Sequence, residues 1–349
     1  MCYSGLLSWY DQHKRVLPFR GARDPYAIWV SEIMLQQTRT ETVAGYYTRF
    51  LSLFPTVTAL AEAPEEAVLK AWEGLGYYSR ARNLHRAAQV IASQYGGVFP
   101  NTYEAIRALP GVGDYTAAAV ASIAFGLPHP AIDGNLTRVI SRVHGIREDV
   151  GIPSVKRQIE KLATAHVNRQ RPGDWNQALM DIGATVCVPG TPDCMACPLA
   201  ACCNAHAEDD ADLLPIRAAA KPPLPVNVGV GIITCGDRVL MQRREAALLR
   251  GLWVFFLLEG DSDSEGMEKR LRSLGLSAAF RADLGETRHV FTHRIWNMRL
   301  YHFEAAAPSP VKGYAWMDAV NLRDLPLPTA MKAAQKAAEE ILNAENRIE

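Results

Sequence analysis

The 349-residue sequence lacks three things: a long apolar run, a net charge and a cysteine pattern suited to disulfides. No run reaches the roughly 18 apolar residues that a membrane span needs. The first residues, MCYSGLLSWYDQHKRVLPFR, have neither the basic start nor the apolar centre of a secretory signal. The expectation is a monomeric protein that stays off membranes, in the cytoplasm of a bacterial-type cell. Lys+Arg and Asp+Glu are both 37, so charge gives no sign of an acidic partner, although basic residues can still gather on one face. Residues 1–203 carry 19 Lys/Arg against 17 Asp/Glu, an excess of only 2. Cysteine is scarce and uneven: of seven, five lie between Cys187 and Cys203. An odd, clustered set argues against a secreted disulfide scaffold and for a reducing compartment. Lysine is missing altogether between Lys70 and Lys156.

What is present centres on Leu109 to Val139, LPGVGDYTAAAVASIAFGLPHPAIDGNLTRV. Leu109-Pro110-Gly111-Val112-Gly113 is a turn that opens a small-residue helix, Tyr115 to Phe125. Gly111 and Gly113 tolerate positive φ and carry no side chain, so an anion can approach the backbone N–H groups at the helix's positive end. On spacing alone, an anion cradle and an unliganded helix–turn–helix connection are equally good readings. Asp133 then sits in a short turn, Asp133-Gly134-Asn135, before a further helical run.

Upstream, residues 4–14 read as an amphipathic helix, followed by Leu17-Pro18-Phe19-Arg20. Trp29 to Phe50 reads as one helix with an apolar stripe, and Glu32 falls among its apolar neighbours. Burial disfavours an ionised carboxylate and raises its pKa, which suits a general acid near neutral pH. A half-exposed Glu paired with an Arg is the plainer alternative. After a helical segment at 56–71 comes Gly74-Leu75-Gly76-Tyr77-Tyr78-Ser79-Arg80-Ala81-Arg82-Asn83-Leu84, a plausible nucleic-acid surface, since arginine neutralises phosphate and an aromatic ring can replace a base in the stack. Solvated arginines on an ordinary turn would look the same. Further helices are expected over 136–146, 155–167 and 174–183. Cys187-x6-Cys194-x2-Cys197-x5-Cys203 places four thiols on short loops, a pattern for a soft metal such as zinc or iron. It does not fit paired CxxC zinc knuckles.

Together these strings resemble the helix-hairpin-helix DNA glycosylases of the endonuclease III superfamily, and within them the adenine DNA glycosylase family. The resemblance covers nearly the whole chain. It implies that the hairpin with Gly111 and Gly113 holds a DNA phosphate and that Asp133 lies beside the sugar of a flipped-out nucleotide. Strand-nicking members carry a Schiff-base Lys in the hairpin helix. Tyr115 stands there, which implies base excision without strand cleavage. Glu32-Ile33-Met34-Leu35-Gln36-Gln37-Thr38 matches the family motif, so Glu32 is implied as the acid that protonates adenine N7 and Gln37 as a wedge in the base stack. Arg20 and Thr38 accompany these as base- or DNA-contacting positions. Tyr77 falls where the family intercalates beside 8-oxoguanine, Gln177 is directed at the adenine, Tyr115 orients the site, and Asn135 supports Asp133. The four cysteines, Cys187, Cys194, Cys197 and Cys203, match the superfamily's 4Fe–4S loop, with Cys202 an extra thiol beside the fourth. Phe19 replaces a Trp and loses its N–H donor.

Residues 204–224, acidic and then Pro-rich, read as a solvated, fairly stiff linker. Beyond it the pattern turns β-rich: a hairpin at Val226–Thr234 and Arg238–Arg243, a helix at 264–275, a strand from His289 to Glu304 and a last helix near 329–344. This half resembles a Nudix fold without the Glu cluster that such hydrolases use to hold Mg2+. By resemblance it reads the base opposite adenine through Phe291-Thr292-His293, where the family has Phe-Ser-His. Phe256 stands where Pro is frequent.

The expected fold is α+β and multidomain: an all-α helix-hairpin-helix domain over 1–203 closed by the 187–203 cluster loop, a linker at 204–224, and a Nudix-like α/β domain over 225–349. The expected function is a monofunctional DNA glycosylase of base excision repair, acting on double-stranded DNA with adenine opposite 8-oxoguanine or guanine, with a 4Fe–4S cluster and other repair proteins as further partners. A mismatch thymine/uracil glycosylase, a non-catalytic iron–sulfur lesion binder and a nucleotide pyrophosphatase are the competing readings.

Overall fold

A computed structural model describes residues 3–219, 221–260 and 263–345. The chain divides into two compact units, Met1–Glu62 with Asn83–Ala219, and Ala63–Arg82 with Ala220–Glu349. The short segment 63–82, expected with the helical domain, therefore belongs to the β-containing unit.

In chain order the helices before the sheet are α1 (Leu6–His13), α2 (Pro25–Leu35), α3 (Thr40–Leu53), α4 (Val57–Glu62), α5 (Glu65–Ala71), α6 (Ser79–Gln94), α7 (Tyr103–Arg107), α8 (Asp114–Phe125), α9 (Gly134–His144), α10 (Pro153–His166), α11 (Pro172–Thr185) and α12 (Asn204–Ala207). The single helix expected over 29–50 is two. It breaks where Gln37 turns left-handed at φ +58°, a conformation an α-helix cannot contain, so Gln37 projects from a corner, exposed. Pro64 divides the expected 56–71 segment in the same way, since it stands as the N-cap of α5. It cannot donate the N–H that a continuous helix would need.

The core of the first unit gathers α1, α8, α9, α10 and α11 around Leu136, Val139, Ile140, Trp175, Leu179 and Ile182. Helix α8 is short-chained because it must come close to α11. A Cβ on Gly173 would lie 2.8 Å from Ile123 Cα and 2.9 Å from Ser122 O. The expected linker is not free in its first part. Ala205, Ala211 and Leu214 form a small buried cluster, and Arg147 pairs with Glu208 and Asp210 at 2.7 and 2.8 Å. Its acidic residues thus face a fixed arginine rather than solvent alone.

The second unit is built on a seven-stranded sheet: β1 (Leu224–Cys235), β2 (Arg238–Arg243), β3 (Trp253–Val254), β4 (Phe256–Glu259), β5 (Ala278–Val290), β6 (Arg294–Ala305) and β7 (Tyr314–Asp318). The order β3-β2-β1-β6-β5 has β1 and β6 parallel, with β4 also on β1 and β7 also on β2. Helix α13 (Ser264–Ser273) covers one face through Met267 and Leu271. After α14 (Ala319–Asp324), helix α15 (Lys332–Glu345) covers the other through Ala334, Ala338 and Leu342. β1 alternates accordingly, with Val228, Val230 and Ile232 toward α15 and Ile233 toward α13. The strand expected from His289 to Glu304 is interrupted: β5 and β6 form an antiparallel hairpin, and Phe291–His293 is its turn, closed by Phe291 N–H donating to Arg294 O at 2.8 Å. Alternation of apolar residues on both sides hid a turn that contains neither Gly nor Pro. No helix among the described residues is long and apolar enough to cross a membrane.

The close approach of α8 and α11 yields a test. Gly173→Ala is expected to destabilise the protein by about 1–3 kcal/mol, the usual cost of overpacking against backbone, read as a fall in thermal midpoint. An unchanged midpoint would mean that the two helices have slack.

Candidate functional site

The site of the first unit is assembled by three elements. Helix α2 is apolar on all sides, and it carries Glu32 inward, only 7% exposed. Helix α8 brings Tyr115, whose hydroxyl donates to Glu32 Oε2 at 2.6 Å. Asp133 is the N-cap of α9: its Oδ1 accepts from Leu136 N–H at 2.7 Å and its Oδ2 from Asn135 Nδ2 at 2.9 Å. The loop before Asp133 is held by Asn176, fully buried, which accepts from Ala131 N–H and donates to His129 O and Ser122 Oγ.

Burial raises both carboxyl pKa values above their ordinary range. For Glu32 the opposing influences are the Tyr115 hydrogen bond and the Arg20 charge, while the Asp133 charge adds to the rise. One charge-assisted hydrogen bond is worth about 1.5–3 kcal/mol, less than the several kcal/mol an ion loses on leaving water, so the balance leaves the Glu32 pKa raised. Asp133 is better provided: a backbone N–H, an amide and the positive end of α9 all favour its charge. Two carboxyls with unequal donors are how one site holds an acid and an anion together. Tyr115 is pushed well above its ordinary value, by burial first and then by the Glu32 and Asp133 charges, so it stays a neutral donor.

Arg20 Nη1 donates to Gln177 Oε1 and to Tyr10 OH, and its Nη2 to Asp181 Oδ1 at 2.9 Å. Asp181, fully buried, also accepts from Arg15 Nε at 2.7 Å. Gln177 and Asp181 stand one turn apart on α11, so both reach Arg20. The sequence singled out Arg20 and Gln177 and missed Arg15 and Asp181. The missed signal was an Asp among Met180, Ile182 and other buried residues. Gly111 has φ +75°, and a Cβ there would fall 2.4 Å from Asn83 Cβ. Gly113 does not need positive φ: at φ −92° it is the N-cap of α8, without a side-chain cap, so the first amides of the helix have no side chain from Gly113 across them. Thr38 N–H donates to Leu35 O at the corner that exposes Gln37. Phe19 is buried, edge-on to Tyr47.

The four cysteines of the sequence pattern line one small pocket together with Arg142 and Leu199. Burial raises the thiols of Cys194 and Cys203 and pushes Cys197 up to about 11, each further opposed by neighbouring thiolates. Such a set calls for a cation among the sulfurs. Among the described residues no three ligating side chains converge as they would around a single metal ion. Arg142, 1% exposed, donates to Cys187 Sγ at 3.3 Å and to the carbonyls of Val188, Gly190 and Leu214. Arg138 donates to Cys187 O, Gly183 O and Asn135 Oδ1, so hydrogen bonds run without a gap from Asp133 through Asn135 and Arg138 to the cysteine loop. Both arginines escaped the sequence reading, although two charges four apart on the apolar face of α9 were visible there. Cys202 does not line the pocket; its Sγ lies 3.3 Å from Leu199 O.

In the second unit Phe291 packs edge-on to His289 and Trp296, while Thr292 and His293 are exposed at the hairpin turn. Thr292 Oγ1 lies 2.8 Å from Tyr77 OH, so two expected DNA-contacting residues from distant parts of the sequence meet within this unit.

Comparison with known proteins gives two matching family models: an HhH-GPD superfamily base excision DNA repair protein over residues 30–165 and a NUDIX domain over 229–337. Adenine DNA glycosylase from Homo sapiens is 35% identical, covering 94% of this chain and 72% of that protein. The Rattus norvegicus protein of the same name is also 35% identical, over 96% and 77%. Among solved structures, a thermostable thymine-DNA glycosylase superposes with a TM-score of 0.54 at 32% identity, over 59% of this chain and 94% of that one. A trapped endonuclease III–DNA covalent intermediate gives 0.51 at 23%, over 60% and 95%, a likeness of fold.

The burial of Glu32 yields a pH test of stability. Because its folded pKa lies above the ordinary 4.5, its contribution is fully present below that value and is lost as pH rises through the folded pKa. Glu32→Gln removes this loss. The thermal midpoint of the variant minus that of the native protein is expected to be small at acid pH and to grow toward neutrality. A difference that is flat with pH would contradict a raised pKa.

Proposed function

From the premise that the chain belongs to the adenine DNA glycosylase family, we propose that it is a monofunctional glycosylase that hydrolyses the N-glycosidic bond of adenine opposite 8-oxoguanine or guanine in duplex DNA. The observation that carries the reading is the set formed by buried Glu32 with half-buried Tyr115 and Asp133, with the Glu32 carboxyl raised and a Tyr where strand-nicking relatives of the superfamily use Lys. The glycosidic bond cannot be reached inside the stack, so the adenine must be flipped into the pocket. Glu32 gives its proton to N7 of the base. The C1′–N9 bond then breaks with its electron pair leaving on adenine, and the sugar becomes an oxocarbenium ion. Asp133, ionised, stabilises that charge electrostatically. Water adds at C1′, loses a proton, and leaves an abasic site. Tyr115 has no amine with which to form a Schiff base, so the strand stays intact.

Arg20 and Gln177 would meet the base edge, with Asp181 holding Arg20 in place. Gln37, projecting from its corner, would fill the space the base vacates, and the open amides of α8 beside Gly111 and Gly113 would take a backbone phosphate. Cys187, Cys194, Cys197 and Cys203 would hold a 4Fe–4S cluster. The cluster would keep the four thiolates ionised and cross-link their loop, and no electron is needed for hydrolysis. Thr292 retains a hydroxyl at the position implied for lesion reading. A mismatch thymine glycosylase is the second reading, favoured by the 32% likeness of the first unit. The NUDIX match and the adenine relatives that span both units weigh against it.

The test is single-turnover excision from duplexes with A opposite 8-oxoguanine, A opposite G and T opposite G, each with and without alkali. Adenine release, with strand cleavage only after alkali, is expected. Thymine release, or cleavage without alkali, would overturn the reading. Glu32→Gln should lower the excision rate about 10²–10⁴-fold, the range of a general acid, and Asp133→Asn about 10²–10³-fold, that of an electrostatic stabiliser. The native rate should fall as pH rises through the Glu32 pKa.

A further inference from the structure

We infer that Lys70 is a specificity-positioning residue: it fastens α5 to the end of α14, so that Tyr77 and the Phe291–His293 turn form one preassembled probe of the base opposite adenine. The inference rests on the glycosylase reading above, and all of its parts lie within the second unit.

Lys70 Nζ donates to Arg323 O and, at 3.0 Å, to Leu325 O. These carbonyls close α14, where a helix end leaves acceptors unpaired and its dipole attracts a cation. Lys70 also pairs with Glu73 at 2.8 Å. One turn earlier Glu66 accepts from Trp253 Nε1. Beyond the glycine turn, Tyr78 OH donates to Leu327 O at 3.2 Å, and Arg82 to Arg250 O. The segment is therefore anchored on both sides of Tyr77 to the scaffold that carries the reading turn.

The turn itself is under strain. Its backbone is left-handed at Gly74 (φ +100°), Gly76 (φ +71°) and Tyr77 (φ +47°). For a bulky residue such as Tyr77 this conformation is costly and persists only where the surroundings impose it. Here they do. Trp72 Nε1 donates to Gly76 O at 3.1 Å, and Arg80 Nη2 to Leu75 O and Gly76 O, each at 3.1 Å. The ring of Tyr77 is left 47% exposed while its hydroxyl meets Thr292. A side chain that enters the stack and one that reads a base edge are useful together only if their spacing is fixed before DNA arrives. Lys70 fixes it without facing the DNA-contacting residues.

The experiment compares native protein, Lys70→Met and Lys70→Arg in single-turnover excision at saturating protein, on A:8-oxoguanine and A:G duplexes. A 2-aminopurine next to the lesion reports local unstacking. Lys70→Met should reduce the preference for the 8-oxoguanine duplex about tenfold, the scale of coupling through a packed network. The A:G rate should stay within about twofold, and 2-aminopurine unstacking should weaken. Lys70→Arg, which keeps the cation at the carbonyls, should restore both. An unchanged preference, or equal losses on the two duplexes, would overturn the inference. If Lys70→Met does not fold, Lys70→Gln, shorter and uncharged, takes its place, and the same readouts apply. Absence of excision by the native protein on either duplex would instead refute the glycosylase reading.

Discussion

A carboxyl group leaves water only where the protein replaces water's hydrogen bonds or keeps the group protonated, and this chain buries one such group, Glu32, near a half-buried second, Asp133. Glu32 receives one hydrogen bond, from Tyr115; Asp133 receives a backbone N–H and the Asn135 amide at a helix start. The inequality follows from where each residue sits. Mid-helix, Glu32 has no free backbone donors within reach, because α2 uses its own. At an N-cap, Asp133 meets amides that no carbonyl satisfies. Helix geometry thereby separates a proton donor from an anion.

Much of the first unit serves to hold these positions. Gly173 lets α11 approach α8, Asn176 pins the loop that ends in Asp133, and Arg138 ties Asn135 to the cysteine loop. Buried arginines are costly unless every N–H finds an acceptor. Arg142 finds three carbonyls and a sulfur, which is why so charged a residue stands in an apolar cluster. In the second unit the corresponding constraint is a strained turn, held by Trp72 and Arg80 from beneath and anchored through Lys70 and Tyr78.

The sequence disclosed what local chemistry determines. A Gly-rich turn before small residues, an Asp at a helix start and four clustered cysteines each announce themselves over a few positions, and the resemblance in those strings carried the reading of roles. What it concealed depends on long-range partners. Gln37 breaks a helix that its neighbours would continue, and Phe291–His293 turns a chain whose composition favours a strand. Nothing within 63–82 tells that Lys70 and Tyr78 meet carbonyls some 250 residues away. The acidic stretch after Cys203 looks solvated until Arg147 is placed against it. Asp181, Arg138 and Arg142 were legible in part, as charges at apolar positions, but their acceptors were not.

The central claim is that burial keeps Glu32 protonated where an ordinary glutamate is ionised. Isotope-edited infrared titration of the protein with 13C-labelled glutamate carboxyls, with Glu32→Gln subtracted, measures this directly. A protonated carboxyl band that survives well above pH 4.5, the ordinary value, and is missing from the variant is the expected result. A Glu32 band that titrates at or below that value would contradict the account, because the site would then hold two anions and no acid.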